Sequence, residues 1–406
     1  MILYDNKLGL YMNIKTYTLN NKELFDYKSK VTKDINTIVG NDTYIVRKGE
    51  RIIRANRHSD IEAKKGEELL FYIRNIKNEI FTLENPVPKN MPLKEELINS
   101  LNNKIWYVLN SNNPNLNNSN KDYYLSKYDI IKIGNIKLIV QEIVIQRTDN
   151  DVKENEKTNE NIIFKQNEES SFNLCPEPEK YFLSTDDAKK ENFIGKICNK
   201  NECNIDNPII GFCNCNVYHF ECLEKKINEK PIIKENKKKT VQNFMVKSYC
   251  KQCKYTFPLK FTIHIGQDNK EKIYNFIDIN KPEGSNYMIL ESLETKIYYG
   301  KYKLLFVVEL GNDVINIGKE KENDIIIRDP SVSKKNAEMT FSNKGVMIKN
   351  KSETFGTLIL LKRPVKINEN FIRIQIGRTI IDAKKMKYGE YETIKNKHSH
   401  TLPKKD

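Results

Sequence analysis

Short apolar runs, each ended by glycine, proline, asparagine or aspartate, recur along most of the chain and predict mainly β-structure. Over residues 298–383 they return roughly every ten residues, which is typical of an all-β sandwich. The predicted strands there are Leu304–Val308, Val314–Ile317, Asp324–Ile327, Ala337–Phe341, Val346–Ile348, Leu358–Leu361, Ile372–Ile376 and Thr379–Ile381. Gly311, Asp329–Pro330, Gly345 and Gly377 are the predicted turns between them.

Residues 1–146 carry a second set of such runs and are predicted to form a β-rich domain. Thr43–Ile53, Leu69–Ile73, Ile80–Leu83 and Ile105–Leu109 are its first strand candidates. The stretch from Tyr123 to Val144 has a turn at Asp129, a strand, a turn at Gly134 and a final strand. This pattern is typical of the last strands of a β-sandwich.

The middle of the chain has a different composition. Residues 147–190 are rich in charged residues and asparagine, with few apolar positions, so they are predicted to be a disordered linker. Residues 191–258 hold most of the cysteines and a predicted helix, Leu223–Lys230, that Pro231 ends. Residues 259–297 are predicted as connecting strands and residues 384–406 as a basic, disordered tail.

Seven of the eight cysteines and one histidine form four close pairs. The pairs are Cys198 with Cys203, Cys213 with Cys215, His219 with Cys222, and Cys250 with Cys253. Thiolate and imidazole are the ligands that Zn²⁺ takes in tetrahedral sites, and close pairs let one backbone turn supply two of them. Eight ligands complete two tetrahedra with no open position, so two structural zinc ions are predicted. Chance clustering of buried cysteines, or disulfides, is the alternative.

The order of these ligands resembles the RING-variant (RING-CH) zinc finger, and that resemblance implies a cross-braced pair of sites. One zinc would take Cys198, Cys203, His219 and Cys222, and the other Cys213, Cys215, Cys250 and Cys253. Two spacings depart from the family: the first pair is wider, and only three residues separate Cys215 from His219. Cys175, in the predicted linker, is an alternative ligand in place of Cys198 or Cys203.

Four motifs in the C-terminal domain resemble the FHA domain, which recognises phosphothreonine. They are Ile317–Lys319, Asn323–Ile325, Asp329–Ala337 and Asn350–Thr357. The resemblance implies a phosphopeptide site made of Lys319, Ser333, Lys334, Thr354 and Phe355. A phosphate needs cationic, hydroxyl and backbone N–H donors that converge from loops at one end of a sandwich.

Three residues depart from the FHA pattern. Lys319 offers a point charge where the family has an arginine fork, Asn336 replaces a bracing histidine, and Phe355 replaces an asparagine that holds the peptide backbone. The sequence therefore leaves open whether phosphate binding is retained or lost. In the N-terminal domain, Arg57–Ile61 faintly resembles the same kind of loop, which suggests a degenerate FHA-like sandwich. The whole combination resembles a ciliate family of RING-variant/FHA proteins.

The net charge of +14 has two interpretations. Nucleic-acid binding is one, but much of the charge falls in Lys237–Lys239 and in the predicted tail, and aromatic residues are not interleaved with it. Solvated loops are the preferred interpretation. No signal peptide or membrane-length apolar run is found, so cytosol or nucleus is expected.

Two functions compete. A RING-type ubiquitin ligase would bind a phosphorylated partner through the FHA domain and a conjugating enzyme through the finger, with Lys254 and Phe257–Pro258 as contacts. The alternative is a non-catalytic scaffold in which the finger is only structural. No paired carboxylates, nucleophile–base set or phosphate loop indicates a metabolic enzyme.

Overall fold

The computed structural model of the chain describes residues 11–18, 34–39, 42–48, 51–55, 67–76, 80–84, 104–109, 122–146, 177–229, 241–266, 270–277, 279, 281–293, 296–297, 300–352, 354, 356–362, 365–367, 372–386 and 390. In these ranges it forms 28 strands and two short helices, which confirms the predicted multidomain, mainly β-fold. No helix in the described ranges is long and apolar enough to span a membrane. Arg57–Ile61, Lys237–Lys239 and Cys175 lie outside these ranges, as do most of the predicted linker and tail.

Seven strands come from the first part of the chain. They are β1 (Tyr11–Thr18), β2 (Asp34–Val39), β3 (Thr43–Lys48), β4 (Arg51–Ala55), β5 (Glu67–Ile76), β6 (Ile80–Glu84) and β7 (Trp106–Leu109). In β1 every second side chain is buried, including Met12 and Ile14, because successive residues of a strand point to opposite faces.

Three more strands follow before the cysteine-rich region: β8 (Asp122–Tyr124), β9 (Ile130–Ile133) and β10 (Ile136–Val144). Asp129 accepts a hydrogen bond from the Ser126 N–H at 2.8 Å and forms the turn before β9. Gly134 has a φ of +59° and turns the chain from β9 into β10. The predicted turns and strands of this stretch are thus confirmed.

The cysteine-rich region forms a small module of strands and helices. Its elements are β11 (Lys180–Phe182), α1 (Thr185–Lys190), β12 (Ile209–Cys213), β13 (Asn216–His219), α2 (Phe220–Asn228), β14 (Val241–Val246), β15 (Lys260–Ile265) and β16 (Lys270–Asn275). The folded region starts earlier than the predicted linker boundary at residue 190, since β11 and α1 both precede it. Ser184 caps α1 by accepting the Asp187 N–H. Helix α2 begins directly after the extended His219, three residues before the predicted start.

The last part of the chain contributes twelve strands to the described ranges. They are β17 (Tyr287–Ser292), β18 (Lys296–Ile297), β19 (Gly300–Lys301), β20 (Lys303–Glu309), β21 (Ile315–Gly318), β22 (Ile325–Ile326), β23 (Ala337–Ser342), β24 (Gly345–Asn350), β25 (Thr357–Leu360), β26 (Val365–Ile367), β27 (Ile372–Ile376) and β28 (Thr379–Met386). All eight strands predicted for residues 298–383 are present, and β19 and β26 are additional there. The predicted tail starts within β28.

Three sheets form the main body. An eleven-stranded sheet runs in the order β14-β20-β17-β10-β9-β25-β7-β27-β28-β1-β2. Two five-stranded sheets have the orders β22-β21-β23-β24-β8 and β26-β6-β5-β3-β4. Buried residues from all three form one continuous apolar core. Burial of apolar side chains contributes about 25 cal/mol per Å², so this core is the main stabilising term.

The same ten-strand arrangement occurs twice. Strands β7 and β25 pair at the centre of the large sheet, with Leu109 opposite Thr357. Outward from β25 lie β9, β10, β17 and β20, and outward from β7 lie β27, β28, β1 and β2. The two five-stranded sheets match in the same way. One half therefore consists of β1–β7 and β26–β28, and the other of β17, β20–β25 and β8–β10.

The two halves have exchanged their last three strands, which differs from the predicted domain boundaries of 1–146 and 298–383. The pairing of β9 with β25 and of β10 with β17 holds residues 130–144 in the second half. An ion pair between Lys362 and Asp129, only 3% and 0% exposed, ties the end of β25 to the turn before β9. The sequence predicted where these strands lie along the chain, but not which strands they pair with.

The cysteine-rich module is joined to the second half. Strand β14 extends the large sheet by pairing with β20, from Val241 opposite Val308 to Val246 opposite Lys303. The module has its own aromatic core, in which the Phe212 ring lies 5.3 Å from Phe261 and 5.8 Å from Phe257. Because Phe257 is only 3% exposed, it is not available as the surface contact that the sequence suggested.

Candidate zinc centres and phosphate-binding loops

Four cysteines form the first candidate metal group. The sulfur atoms of Cys213, Cys215, Cys250 and Cys253 all lie within 4.8 Å of one another. Four thiolates around one Zn²⁺ at 2.3 Å stand about 3.8 Å apart, so the group fits a tetrahedral zinc site. Strand β12 ends at Cys213, and the hairpin between β14 and β15 supplies the other pair. The second and fourth predicted pairs therefore do meet, as the cross-braced arrangement requires.

The backbone around Cys250 and Cys253 is folded as a tight ligand-bearing turn. The Cys250 N–H donates to the Tyr255 carbonyl at 2.7 Å, and the Lys254 N–H donates to the Cys250 carbonyl at 3.0 Å. Lys254 has a φ of +66°, which closes the turn. Burial alone would raise the pKa of Cys250, but backbone N–H groups of Cys253 and Gln252 point at its sulfur and lower that pKa to about 7.

The net shift of the Cys213 pKa is opposite to that of Cys250, because burial dominates at Cys213. Desolvation raises the pKa of the Cys213 thiol to about 12 when no cation is near. Four adjacent thiolates repel one another, so a divalent cation is what would keep all four deprotonated. The donor set and its burial fit a structural zinc ion.

Cys198, His219 and Cys222 form the second candidate group, with their ligand atoms within 4.8 Å of one another. The Cys198 Sγ lies 3.1 Å from His219 Nδ1, and His219 Nε2 lies 2.7 Å from the Glu202 carbonyl oxygen. A carbonyl can only accept, so Nε2 carries the proton and the lone pair of Nδ1 faces the two sulfurs. Metal-bound histidines show this same outer hydrogen bond.

Cys203 is not part of that group in the structure. It is buried with Ala188, Ile209 and Val217, and its backbone N–H bonds to the Thr185 hydroxyl at 3.2 Å. Burial raises the pKa of the Cys203 thiol. The sequence motif thus correctly grouped three of the four predicted ligands, and the fourth ligand stays a prediction.

Lys254, the predicted conjugating-enzyme contact, directly follows the last cysteine on the module surface. Its Nζ donates to the Lys251 carbonyl at 2.6 Å, so the side chain folds back over its own turn. Large apolar side chains are nevertheless exposed in the module. Ile194, Ile197 and Ile205 are 54%, 38% and 42% exposed, and Ile197 directly precedes Cys198.

At the other candidate site, three loops of the second half are joined by hydrogen bonds. The Lys319 N–H, after β21, donates to the Ser333 carbonyl at 3.0 Å. The Ser333 hydroxyl lies 2.6 Å from the Ser352 hydroxyl, in the loop between β24 and β25. Lys334 lies beside Ser333 and forms an exposed ion pair with Glu320 at 3.3 Å. The structure therefore brings Lys319, Ser333 and Lys334 into neighbouring loops, as predicted.

Asn336 supports this loop cluster from below and is fully buried. Its side-chain oxygen accepts the Ser333 N–H at 3.1 Å, and its side-chain nitrogen donates to the Gly356 carbonyl at 3.0 Å and to the Thr357 hydroxyl at 3.1 Å. Asn336 thus makes the brace that the FHA resemblance assigns to histidine.

Ser352 was not predicted as a site residue. Its hydroxyl accepts the Thr354 and Gly356 N–H groups at 3.3 and 3.2 Å, in addition to its contact with Ser333. The only signal in the sequence was a serine two residues after Asn350, which is too common to single out. Predicted residue Thr354 lies in this loop, and Phe355 lies outside the described residues.

The family model of the FHA domain matches residues 315–381. The C-terminal region thus carries an FHA domain. The match contains Lys319, Ser333, Lys334 and Asn336, and it extends across β26 and β27 into β28, which lie in the other half of the structure. No RING-type zinc-finger family model matches the chain. No curated protein and no solved structure matches it either.

Proposed function

We propose that this protein is a phosphothreonine-directed interaction protein whose two-zinc module is structural. The observation that carries this proposal is the convergence of Lys319, Ser333 and Ser352 within a region matched by the FHA domain model. FHA domains bind phosphorylated proteins, so a phosphorylated partner is expected.

The chemistry of the loop cluster suits an anion. The contact between the Ser333 and Ser352 hydroxyls uses one of their two protons. Because the Ser352 oxygen already accepts the Thr354 and Gly356 N–H groups, Ser352 donates to Ser333, and the Ser333 hydroxyl keeps its proton for a phosphate. The exposed pair between Lys334 and Glu320 contributes roughly 0–1 kcal/mol, so Lys334 can turn to a phosphate at little cost. Lys319 adds a second cation as a point charge. This arrangement supports retained phosphate binding despite the lysine.

The zinc ions would have a structural role. The Cys213 group has four thiol ligands and leaves no position for a substrate water. Strand β14 pairs with β20 and so connects this module to the half that carries the FHA loops. Zinc would then stabilise the sandwich edge rather than perform chemistry.

A RING-type ubiquitin ligase is the second candidate. The exposed Ile197 and Ile205 favour it, since conjugating-enzyme docking needs apolar side chains on the module surface and the sequence between Cys198 and Cys203 offered none. Autoubiquitination by the full chain, with Cys250→Ser as control, tests this candidate. Ubiquitin chains that vanish in the variant would support the ligase, and their absence with every conjugating enzyme would favour the scaffold.

The main proposal is tested with a phosphothreonine peptide library on the zinc-loaded full chain. We expect selection of phosphorylated over unphosphorylated peptides and a loss of at least tenfold in affinity for Ser333→Ala, because a phosphate contact is removed. Ser342, the last residue of β23, lies outside the loop cluster, so Ser342→Ala is the matched control and should bind like wild type. Equal binding of phosphorylated and unphosphorylated peptides would reject the proposal. Metal analysis should find two zinc ions per chain.

A further inference from the structure

We propose that the turn at Gly134 and Asn135 is a positioning element of the phosphate-binding loop, so that the FHA site is assembled from both ends of the chain. This inference rests on the proposed phosphothreonine function. The turn connects β9 to β10 and is nearly two hundred residues away in sequence from the loop between β22 and β23 that it contacts.

The contact is a hydrogen bond at the base of that loop. The Asn135 N–H donates to the Ser331 hydroxyl oxygen at 2.7 Å. The Ser331 hydroxyl in turn donates to the Asp329 carboxylate at 2.5 Å, and the Ser331 N–H donates to the same carboxylate oxygen at 2.9 Å. The chain of bonds fixes the segment two residues before Ser333.

Gly134 allows the close approach. A Cβ atom there would lie 2.2 Å from the Ser331 carbonyl oxygen and 2.4 Å from its hydroxyl, and the φ of +59° is one that other residues rarely adopt. Any side chain at position 134 must therefore displace the backbone at Ser331, which is rigidly joined to Ser333. Binding groups must be held within about 0.5 Å of their productive geometry, so a larger displacement of this loop would weaken the phosphate contact.

The turn itself is held firmly. Strand β9 pairs with β25, which begins at Thr357, directly after the Ser352 loop. The buried pair of Asp129 with Lys362 fixes the start of β9 against the end of β25. Strand β9, which leads into the Gly134 turn, is thus paired with β25, which follows the Ser352 loop. The same pair of strands therefore holds both loops.

The residues that form the phosphate site do not coincide with the residues that the FHA family model matches. The family match over residues 315–381 contains the phosphate loops but not the turn that supports Ser331. It contains instead β26 and β27, which complete the other half. The functional unit comprises β8–β10, within residues 122–146, together with β17 and β20–β25, within residues 287–362.

The test uses Gly134→Ala in the full chain, with Gly377→Ala as the matched control. Gly377 makes the equivalent turn between β27 and β28 in the other half, with a φ of +53°, so both variants carry the same backbone strain. We expect Gly134→Ala to weaken binding of a selected phosphothreonine peptide by about tenfold. Gly377→Ala should stay within about twofold of wild type. Ser331→Ala, which removes the acceptor without adding atoms, should lower affinity several-fold even if Gly134→Ala fails to fold.

The outcomes separate the two proposals. If Ser333→Ala abolishes binding while Gly134→Ala and Ser331→Ala bind like wild type, the positioning role is wrong and the phosphothreonine function stands. If wild type binds no phosphopeptide, the proposed function fails. In that case amide hydrogen exchange across residues 329–336 tests the positioning role, since this measurement needs no ligand. Faster exchange there in Gly134→Ala than in Gly377→Ala supports positioning, and equal exchange overturns it.

Discussion

The two halves of the molecule have the same strand order but differ in what is attached to them. In the second half, β21 and β22 pair in parallel and leave long loops on either side of β22, where Lys319 and Ser333 lie. In the first half, the equivalent β3 and β4 form an antiparallel pair with only two residues between them. The second half also gains β14 from the zinc module. One architecture is thus repeated, and in the part of the chain that the structure describes the phosphate-site loops belong to the second half.

The closing strands of the halves are also locked differently. The second half has the fully buried pair of Lys362 with Asp129. The first half has Arg373, 24% exposed, holding Asp382 through two hydrogen bonds of 2.6 and 2.7 Å. Both ion pairs join residues in or beside the exchanged strands. Only in the pair of Lys362 with Asp129 are both side chains almost completely buried. Mutation of the two ion pairs should therefore lower the free energy of unfolding by different amounts.

The largest expected effect concerns the exchange itself. We would insert a protease site at residue 160, between the first ten strands and the module, and cleave the folded chain. The N-terminal piece would carry β8–β10 of the second half, and the C-terminal piece would carry β26–β28 of the first half. The two pieces should therefore co-elute on gel filtration and separate only in denaturant. Free separation under native conditions would contradict the exchanged arrangement.

Zinc removal should affect the halves unequally. Metal binding to structural zinc modules is coupled to folding with apparent free energies of about 10 kcal/mol or more, so a chelator should unfold the module. Loss of β14 then exposes the edge of β20. Hydrogen exchange should rise in residues 241–246 and 303–309 and change little in β1 and β28. Cys213→Ser should reproduce this pattern, and a uniform response of both halves would refute it.

The ion pairs provide the smallest and most direct comparison. Lys362→Met leaves a buried, unpaired Asp129 carboxylate, so we expect a loss of about 3–5 kcal/mol in the free energy of unfolding. Arg373 is 24% exposed and Asp382 7%, so Arg373→Met should cost less, about 2 kcal/mol in the free energy of unfolding. Urea denaturation measures both. Similar losses would mean that burial does not distinguish the two locks.

Much of the local structure was predictable from the sequence. Close spacing brought Cys213 next to Cys215 and Cys250 next to Cys253, because one turn of backbone cannot separate them. Alternation and turn residues located β9, the turn at Gly134 and β10. The FHA motifs located Lys319 and Ser333. These features depend on a few adjacent residues, and the structure brings these residues together as expected.

Other features depend on contacts across long stretches of chain. The bracing role of Asn336 requires Gly356 and Thr357 from another strand. Ser352 becomes a site candidate only through its contact with Ser333. The separation of Cys203 from the Cys198 group reflects its burial against Ile209 and Val217. None of these contacts leaves a pattern in the local sequence.

The sequence by itself determined the elements, the ligand pairs and the phosphate-loop motifs of this protein. Only the tertiary structure decided which half each closing strand completes. The stretch Asp129–Gly134 and the stretch Phe371–Gly377 both have the pattern of an apolar strand that ends in a glycine turn, so either one fits the same position in either sandwich. Hydrophobic alternation specifies the face that a strand buries, not the strand it pairs with. That choice was made by the pairing of β9 with β25 and by the buried contact of Asp129 with Lys362.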